Sequence, residues 1–207
     1  ATGQSPFRNV LTHGFMVDKD GRKMSKSRKN VIAPDKIIKQ NGAEIIRLWV
    51  ASENYREDVR ISPEILKRNS EAYRRIRNTF RFFLGNLYDF DPSGEAVPYE
   101  RLPEIDRWML HKLAELVRRV RETYDRYEFH TFYQTFHNFC AVDLSAFYLD
   151  VIKDRLYCEK ADAHPRRSAQ TVLHRLADAM VRLMAPILAF TAEEVWERLP
   201  GDPASRE

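Results

Sequence analysis

The sequence predicts a mainly α protein: a helical bundle over residues 63–207, preceded by a small α/β segment over residues 1–62. Three observations carry that expectation. After Ser62, apolar residues recur at three-to-four spacing through four long stretches. Before it, β-prone runs alternate with turn residues and two short helical patterns. The 207 residues also include only 7 Gly, too few for a glycine-dense sandwich or a complete dinucleotide-binding fold.

Each element has its own reason. Residues 10–17 are β-prone and broken by Gly14, and Asp18-Lys19-Asp20-Gly21 supplies turn chemistry. Ala33-Pro34-Asp35 opens a helix with Pro in its first turn, and Gly42 ends it. A second short helix carries Ile45, Ile46, Leu48 and Trp49, and Val59-Arg60-Ile61 fits an edge strand. A short hairpin or sheet remnant is therefore expected here. Ser62 caps the first long helix and Pro63 takes its first position. Ile65, Ile76, Phe80, Phe83 and Leu87 share one face of it, up to the turn Asp91-Pro92-Ser93-Gly94. The second helix shows Met109, Leu113, Leu116, Val120 and Tyr127, and the third Phe132, Phe136, Phe139, Phe147 and Val151. After His164-Pro165 a fourth presents Val172, Leu176, Met180 and Leu183 and stops at Pro186. Thr191 and Glu194 have capping-box spacing for a short last helix. Long amphipathic helices with short connections imply an up-and-down bundle.

Composition narrows the function classes. Lys and Arg number 34 against 30 Asp and Glu, and 12 Phe, 9 Tyr and 3 Trp are enough to build a core, which excludes a disordered chain. No apolar run approaches the roughly 18 residues of a membrane-crossing helix. Cys140 and Cys158 cannot form a disulfide scaffold or a four-thiolate zinc site, so a reducing, cytoplasmic setting is expected. Cys140, beside Phe139, reads as inert core. His13, His111, His164 and His174 lack metal-ligand spacing, and no metal site is expected. Asp143 and Asp150, seven apart, are expected to pair with arginine between helices. The chain begins without Met and reads as a piece of something longer.

The sharpest motif is Lys23-Met24-Ser25-Lys26-Ser27. Residues 18–29 carry six basic and two acidic side chains. Serines leave such a loop flexible, and lysines supply mobile point charges that follow a polyanion. A basic loop is usually only solvated. This one follows a β-prone stretch and its turn, and Asn30-Val31-Ile32-Ala33-Pro34-Asp35 comes directly after it.

At these residues the chain resembles the class I aminoacyl-tRNA synthetases, whose K-M-S-K-S signature holds the ATP phosphates during amino-acid activation. Arg47-Leu48-Trp49-Val50-Ala51-Ser52, Asp58-Val59-Arg60-Ile61-Ser62 and Phe82-Phe83-Leu84-Gly85-Asn86-Leu87-Tyr88-Asp89-Phe90-Asp91 are similar to the isoleucine-specific members. So are His137-Asn138-Phe139-Cys140 and Asp143-Leu144-Ser145-Ala146-Phe147-Tyr148-Leu149-Asp150. The resemblance runs in order along nearly the whole chain. Valine- and leucine-specific members, which share the loop, and a non-catalytic helical RNA-binding module are the alternatives.

The resemblance implies that residues 1–62 are the last segment of a catalytic domain, with the phosphate loop and a stem-contact region. Residues 63–207 would be the anticodon-binding bundle. Lys23 and Lys26 become the catalytic residues, Lys26 the main phosphate contact, and Lys23, Met24, Ser25, Lys26 and Ser27 the ATP site. ATP would bring its own Mg2+, and zinc would belong to a C-terminal region outside this chain. Partners implied are tRNA(Ile), ATP and isoleucine, with a monomeric enzyme and no membrane. The second ATP signature, H-I-G-H, and the isoleucine pocket are not in the sequence, so the chain alone is expected to be inactive.

Two further groups are candidates for RNA contact. Lys67, Arg68, Arg74, Arg75, Arg77 and Arg81 face only Glu71 between residues 67 and 81. A solvated face explains many such runs, but the one-signed imbalance favours phosphate contact in a protein of this resemblance. Tyr133 and His137, with Trp108, are candidates for stacking on unpaired bases; packing or plain surface placement is the alternative.

Overall fold

Local chemistry sets where each element starts and stops in the computed structural model, which describes residues 3, 5–18 and 20–201. Strands β1 (Met16–Val17) and β2 (Val59–Arg60) pair in parallel, Met16 opposite Val59 and Val17 opposite Arg60. Of the β-prone run over 10–17 only these last two residues form a strand. Val17 also bridges antiparallel to Lys23 across the Asp18–Gly21 turn, so the expected short hairpin is present beside the pairing with distant β2. Parallel pairing needs a long crossover, which here contains the basic loop and two helices. Gly14 makes the approach to β2 possible. A Cβ there would lie 2.2 Å from the Glu57 carbonyl oxygen, while its own N–H donates to Tyr55 O at 2.9 Å.

Helices α1 (Pro34–Asn41) and α2 (Ala43–Ser52) meet at Gly42, whose φ of 87° suits glycine alone. Then α3 (Pro63–Asn86) starts as expected: the Ser62 hydroxyl accepts the Ile65 N–H at 3.3 Å and Pro63 fills the first position. α4 (Glu104–Asp125) runs back. α5 (Phe129–Asn138) continues into a π-helical stretch (Phe139–Tyr148) and α6 (Leu149–Val151). α7 (Lys153–Tyr157), α8 (His164–Met184) and α9 (Ala189–Arg198) follow. Among the described residues no strand follows Arg60.

Two hydrophobic cores result. The large one lies inside the bundle, with Ile76, Phe80, Phe83, Met109, Leu116, Phe132, Phe136, Val172 and Met180 all buried. The small one joins Ile37, Ile45, Trp49, Ile61 and Leu66, with Met24 and Ile32 packed on it. α2 serves both, since Leu48 and Ala51 point into the large core and Ile45 and Trp49 into the small one.

Some local expectations need correction. The π stretch shifts the helical phase, so Cys140, Leu144 and Tyr148 are buried while Phe147 and Val151 face outward, 43% and 48% exposed. Tyr127 lies past the end of α4 with φ 57°, off the face that Met109 and Val120 share. Thr191 and Glu194 do not cap their own helix, because both are engaged by other helices. Asp150 pairs with Lys153 on its own stretch of chain at 2.8 Å, not with an arginine across the bundle.

Candidate phosphate loop and nucleic-acid interface

The basic loop is built on the end of β1. The Asp18 N–H donates to Arg22 O at 3.0 Å and the Met24 N–H to Met16 O at 3.2 Å, which folds residues 22–24 back along the strand. Met24 packs on the small core. A turn over residues 26–29 follows, with the Lys29 N–H donating to Lys26 O at 3.1 Å. Ser25 and Ser27 hydroxyls lie 3.1 Å apart. The two lysines of the motif differ in setting. The Lys23 ammonium sits 3.8 Å from the centre of the Phe15 ring, a cation–π contact, whereas Lys26 is exposed on the turn.

Sequence reasoning missed Asp18 and Asn30. Asp18 accepts backbone N–H bonds from Asp20 and Arg22 and an amide N–H from Asn30. Chiefly the Asn30 bond, then the Arg22 N–H, hold its carboxyl below the usual range. These three donors hold the Asp18 carboxylate at the base of the loop. Among the described residues no three His, Cys, Asp or Glu converge as a metal site.

The basic run on α3 does not form one strip. Lys67, Arg74 and Arg81 are seven apart and share a row on its outer face. Lys67 and Arg74 also line a groove of about 530 Å³ against α1, with Lys36, Gln40 and Ser70. Arg68 and Arg75 are turned toward α5. Arg77 leaves the group: its guanidinium grips Glu194 of α9 with two bonds of 2.7 and 2.9 Å. That pair lowers the Glu194 carboxyl and raises the Arg77 guanidinium.

Tyr133 and His137 are half-buried on α5 with their rings stacked, centres 6.0 Å apart and planes 16° apart. Arg68 acts on Tyr133 and Arg75 on His137. Burial first, then the Arg75 charge, pushes the His137 imidazole below its ordinary value. Thus the structure brings Arg68 and Arg75 of the basic run together with an aromatic pair that the sequence offered separately. Trp108 packs edge-on against Phe147 at 5.3 Å, well along the bundle from this pair.

A second set missed from sequence ties the loop segment to the bundle. On α2, Glu44 accepts the Phe190 and Thr191 N–H groups at 3.2 and 3.3 Å and the Thr191 hydroxyl at 2.5 Å. It caps α9 from another helix. Since Thr191 gives its one proton to Glu44, it accepts the Tyr73 hydroxyl at 2.8 Å. One turn along α2, Arg47 donates to the Pro186 and Ile187 carbonyls at 2.8 and 2.7 Å. No sequence signal reveals such pairs, because the partners lie about 140 residues away.

The family model for class I tRNA synthetases (I, L, M and V) matches residues 1–62, and that for the anticodon-binding domain of tRNA ligase matches residues 106–206. Isoleucine–tRNA ligase of Carboxydothermus hydrogenoformans is 59% identical over 199 residues, 96% of this chain and 22% of the relative. Those of Syntrophotalea carbinolica (58% over 198 residues, 96% and 21%) and Caldanaerobacter subterraneus (54% over 200 residues, 97% and 22%) are similar. The chain belongs to the class I tRNA synthetases. It spans about a fifth of the length of these synthetases.

The fold recurs across the family. Methionyl-tRNA synthetase of Mycobacterium tuberculosis bound by methionyl-adenylate superposes with TM-score 0.75 at 22% identity, over 94% of this chain and 38% of that one. A LeuRS–tRNA–LeuAMS ternary complex from Agrobacterium radiobacter superposes with TM-score 0.67 at 20% identity, over 92% of this chain and 22% of that one. In the present synthetase chain, no helix among the described residues is long and apolar enough to cross a membrane.

Proposed function

We propose that the chain is the phosphate-loop and tRNA-binding portion of an isoleucine–tRNA ligase, which activates isoleucine with ATP and transfers it to tRNA(Ile). The observation that carries this is identity of 54–59% to isoleucine–tRNA ligases across nearly the whole chain, phosphate loop included. On this reading residues 1–62 close the catalytic domain and residues 63–207 form the tRNA-binding bundle. The two are joined through α2 rather than by a free linker.

Activation joins a carboxylate oxygen of isoleucine to the α-phosphate and expels pyrophosphate. Negative charge grows on the bridging and leaving oxygens, so an ammonium that meets them lowers the barrier. Lys26, exposed on its turn, takes that role. Lys23 assists by leaving the Phe15 ring for the polyphosphate, and Met24 anchors the loop on the small core. Magnesium arrives with the nucleotide rather than in a protein cage. For tRNA, Lys67, Arg74 and Arg81 follow the backbone from the outer face of α3. Arg68 and Arg75 hold phosphates beside a nucleotide resting on Tyr133 and His137. The enzyme acts as a cytoplasmic monomer, with zinc in a region outside this chain, and residues 1–207 alone form no isoleucyl-adenylate.

The test is aminoacylation by a full-length enzyme carrying this chain, offered each amino acid in turn with tRNA(Ile). Isoleucine is expected to give the highest kcat/KM. A higher value for valine, leucine or methionine would overturn the assignment.

A further inference from the structure

The phosphate loop leaves β1 with little ladder to hold it, yet its base is closed by side chains. One Asp18 oxygen accepts the Asp20 and Arg22 N–H groups at 3.0 and 2.9 Å. The other accepts the Asn30 amide at 2.9 Å, across twelve residues of sequence. Asn30 in turn uses its own oxygen to accept the Ser25 N–H at 2.9 Å. Lys29 makes this return possible by adopting the left-handed region, φ 54°, at the end of the turn. Both braced residues are half-buried, whereas Lys26 and Ser27 beyond them are exposed.

We propose that Asp18 and Asn30 are positioning residues for nucleotide binding, a brace that fixes residues 23–25 so that Lys26 meets the phosphates. The inference rests on the phosphate-loop reading above. Residues 18–29 hold six basic side chains against two acidic ones, and unbraced they spread by mutual repulsion. Ordering them would then draw on the binding energy of ATP, because fixing each backbone costs conformational entropy. The brace removes that cost before ATP arrives. Neither residue reaches the nucleotide. They act through the Ser25 N–H and the backbone at residues 20–22.

The donor–acceptor pattern supplies a direct test, because the two side chains can exchange roles. In the reciprocal double variant Asp18→Asn/Asn30→Asp, the amide at 18 keeps an oxygen for the two backbone N–H groups. Its N–H serves the carboxylate at 30, whose other oxygen still takes the Ser25 N–H. Each single variant instead sets like groups face to face.

The assay is isoleucine-dependent ATP–pyrophosphate exchange by a full-length enzyme carrying this chain. Asn30→Asp and Asp18→Asn are each expected to lower kcat/KM for ATP about ten- to hundredfold, the loss of one charge-assisted hydrogen bond. KM for isoleucine should stay within about twofold, since uniform binding of that substrate is untouched. The double variant should recover to within about threefold of wild type, the coupling expected of directly bonded partners. Singles equal to wild type, or a double no better than the worse single, would overturn the brace. Lys26→Ala run alongside separates the two levels. If it slows exchange while the singles do not, only the brace fails; if it too is silent, the phosphate-loop reading fails with it.

Discussion

Removing the Glu44 carboxylate should loosen the whole junction between the loop segment and the bundle. Glu44 is 8% exposed and serves three donors on α9. In Glu44→Ala the short carboxylate–hydroxyl bond to Thr191 is lost, worth about 1.5–3 kcal/mol for a charged hydrogen bond. The two backbone bonds of 3.2 and 3.3 Å are long, so each counts at the low end of a helix cap, about 0.5 kcal/mol. Together the loss is ~3 kcal/mol. At about 2–4 °C per kcal/mol for a chain of this size, Tm should fall by about 6–12 °C. Glu44→Gln, which keeps one oxygen, should fall between the two. Scanning calorimetry of the 207-residue chain at neutral pH measures it. A Tm for Glu44→Ala within about 2 °C of wild type would show that water, not Glu44, satisfies the α9 terminus.

Four other consequences follow from the structure. In a salt titration of tRNA binding, Arg68→Ala/Arg75→Ala should flatten the log–log slope by up to about one unit per lost phosphate contact. Arg77→Ala should leave the slope unchanged and lower Tm instead, because its charge is spent on Glu194. His137 has a folded-state pKa below its ordinary 6.5, so it costs no stability above that pH and destabilises progressively as pH falls through it, when the unfolded chain takes up the proton first. Urea midpoints at pH 7.5 and pH 5.5 should therefore converge in His137→Gln relative to wild type. Burial pushes the Cys140 thiol up to about 12, while Cys158 is exposed, so alkylation of the native protein should modify Cys158 alone and unfolding should release the second thiol.

The helices were legible from the sequence because their apolar residues keep one period over many turns, as Ile76, Phe80 and Phe83 do. The period misleads where the backbone itself departs from it. Phe147 and Val151 sit at sound spacing from Phe132, but the π stretch between them turns that face to solvent. Ser62 was readable as a cap because cap and helix are adjacent in sequence. Thr191 and Glu194 have the right local spacing and were misread, since Glu44, Tyr73 and Arg77 compete for them from far along the chain. The basic loop was visible as a motif, while the Asp18–Asn30 contact at its base was not, because both look like ordinary turn residues until the fold closes them on one another. Charge counting found the basic run on α3. It could not divide the run, because division depends on which helix packs against each side.

The claim at the centre is that Lys26 stabilises charge as pyrophosphate leaves. Single-turnover formation of isoleucyl-adenylate by a full-length enzyme carrying Lys26→Ala tests it without interference from later steps. The rate should drop by about 10²–10³, the usual cost of one lost electrostatic donor in a transition state. Tm and KM for isoleucine should stay at wild-type values, since Lys26 is an exposed turn residue outside both cores. A wild-type rate of adenylate formation in Lys26→Ala would contradict the account.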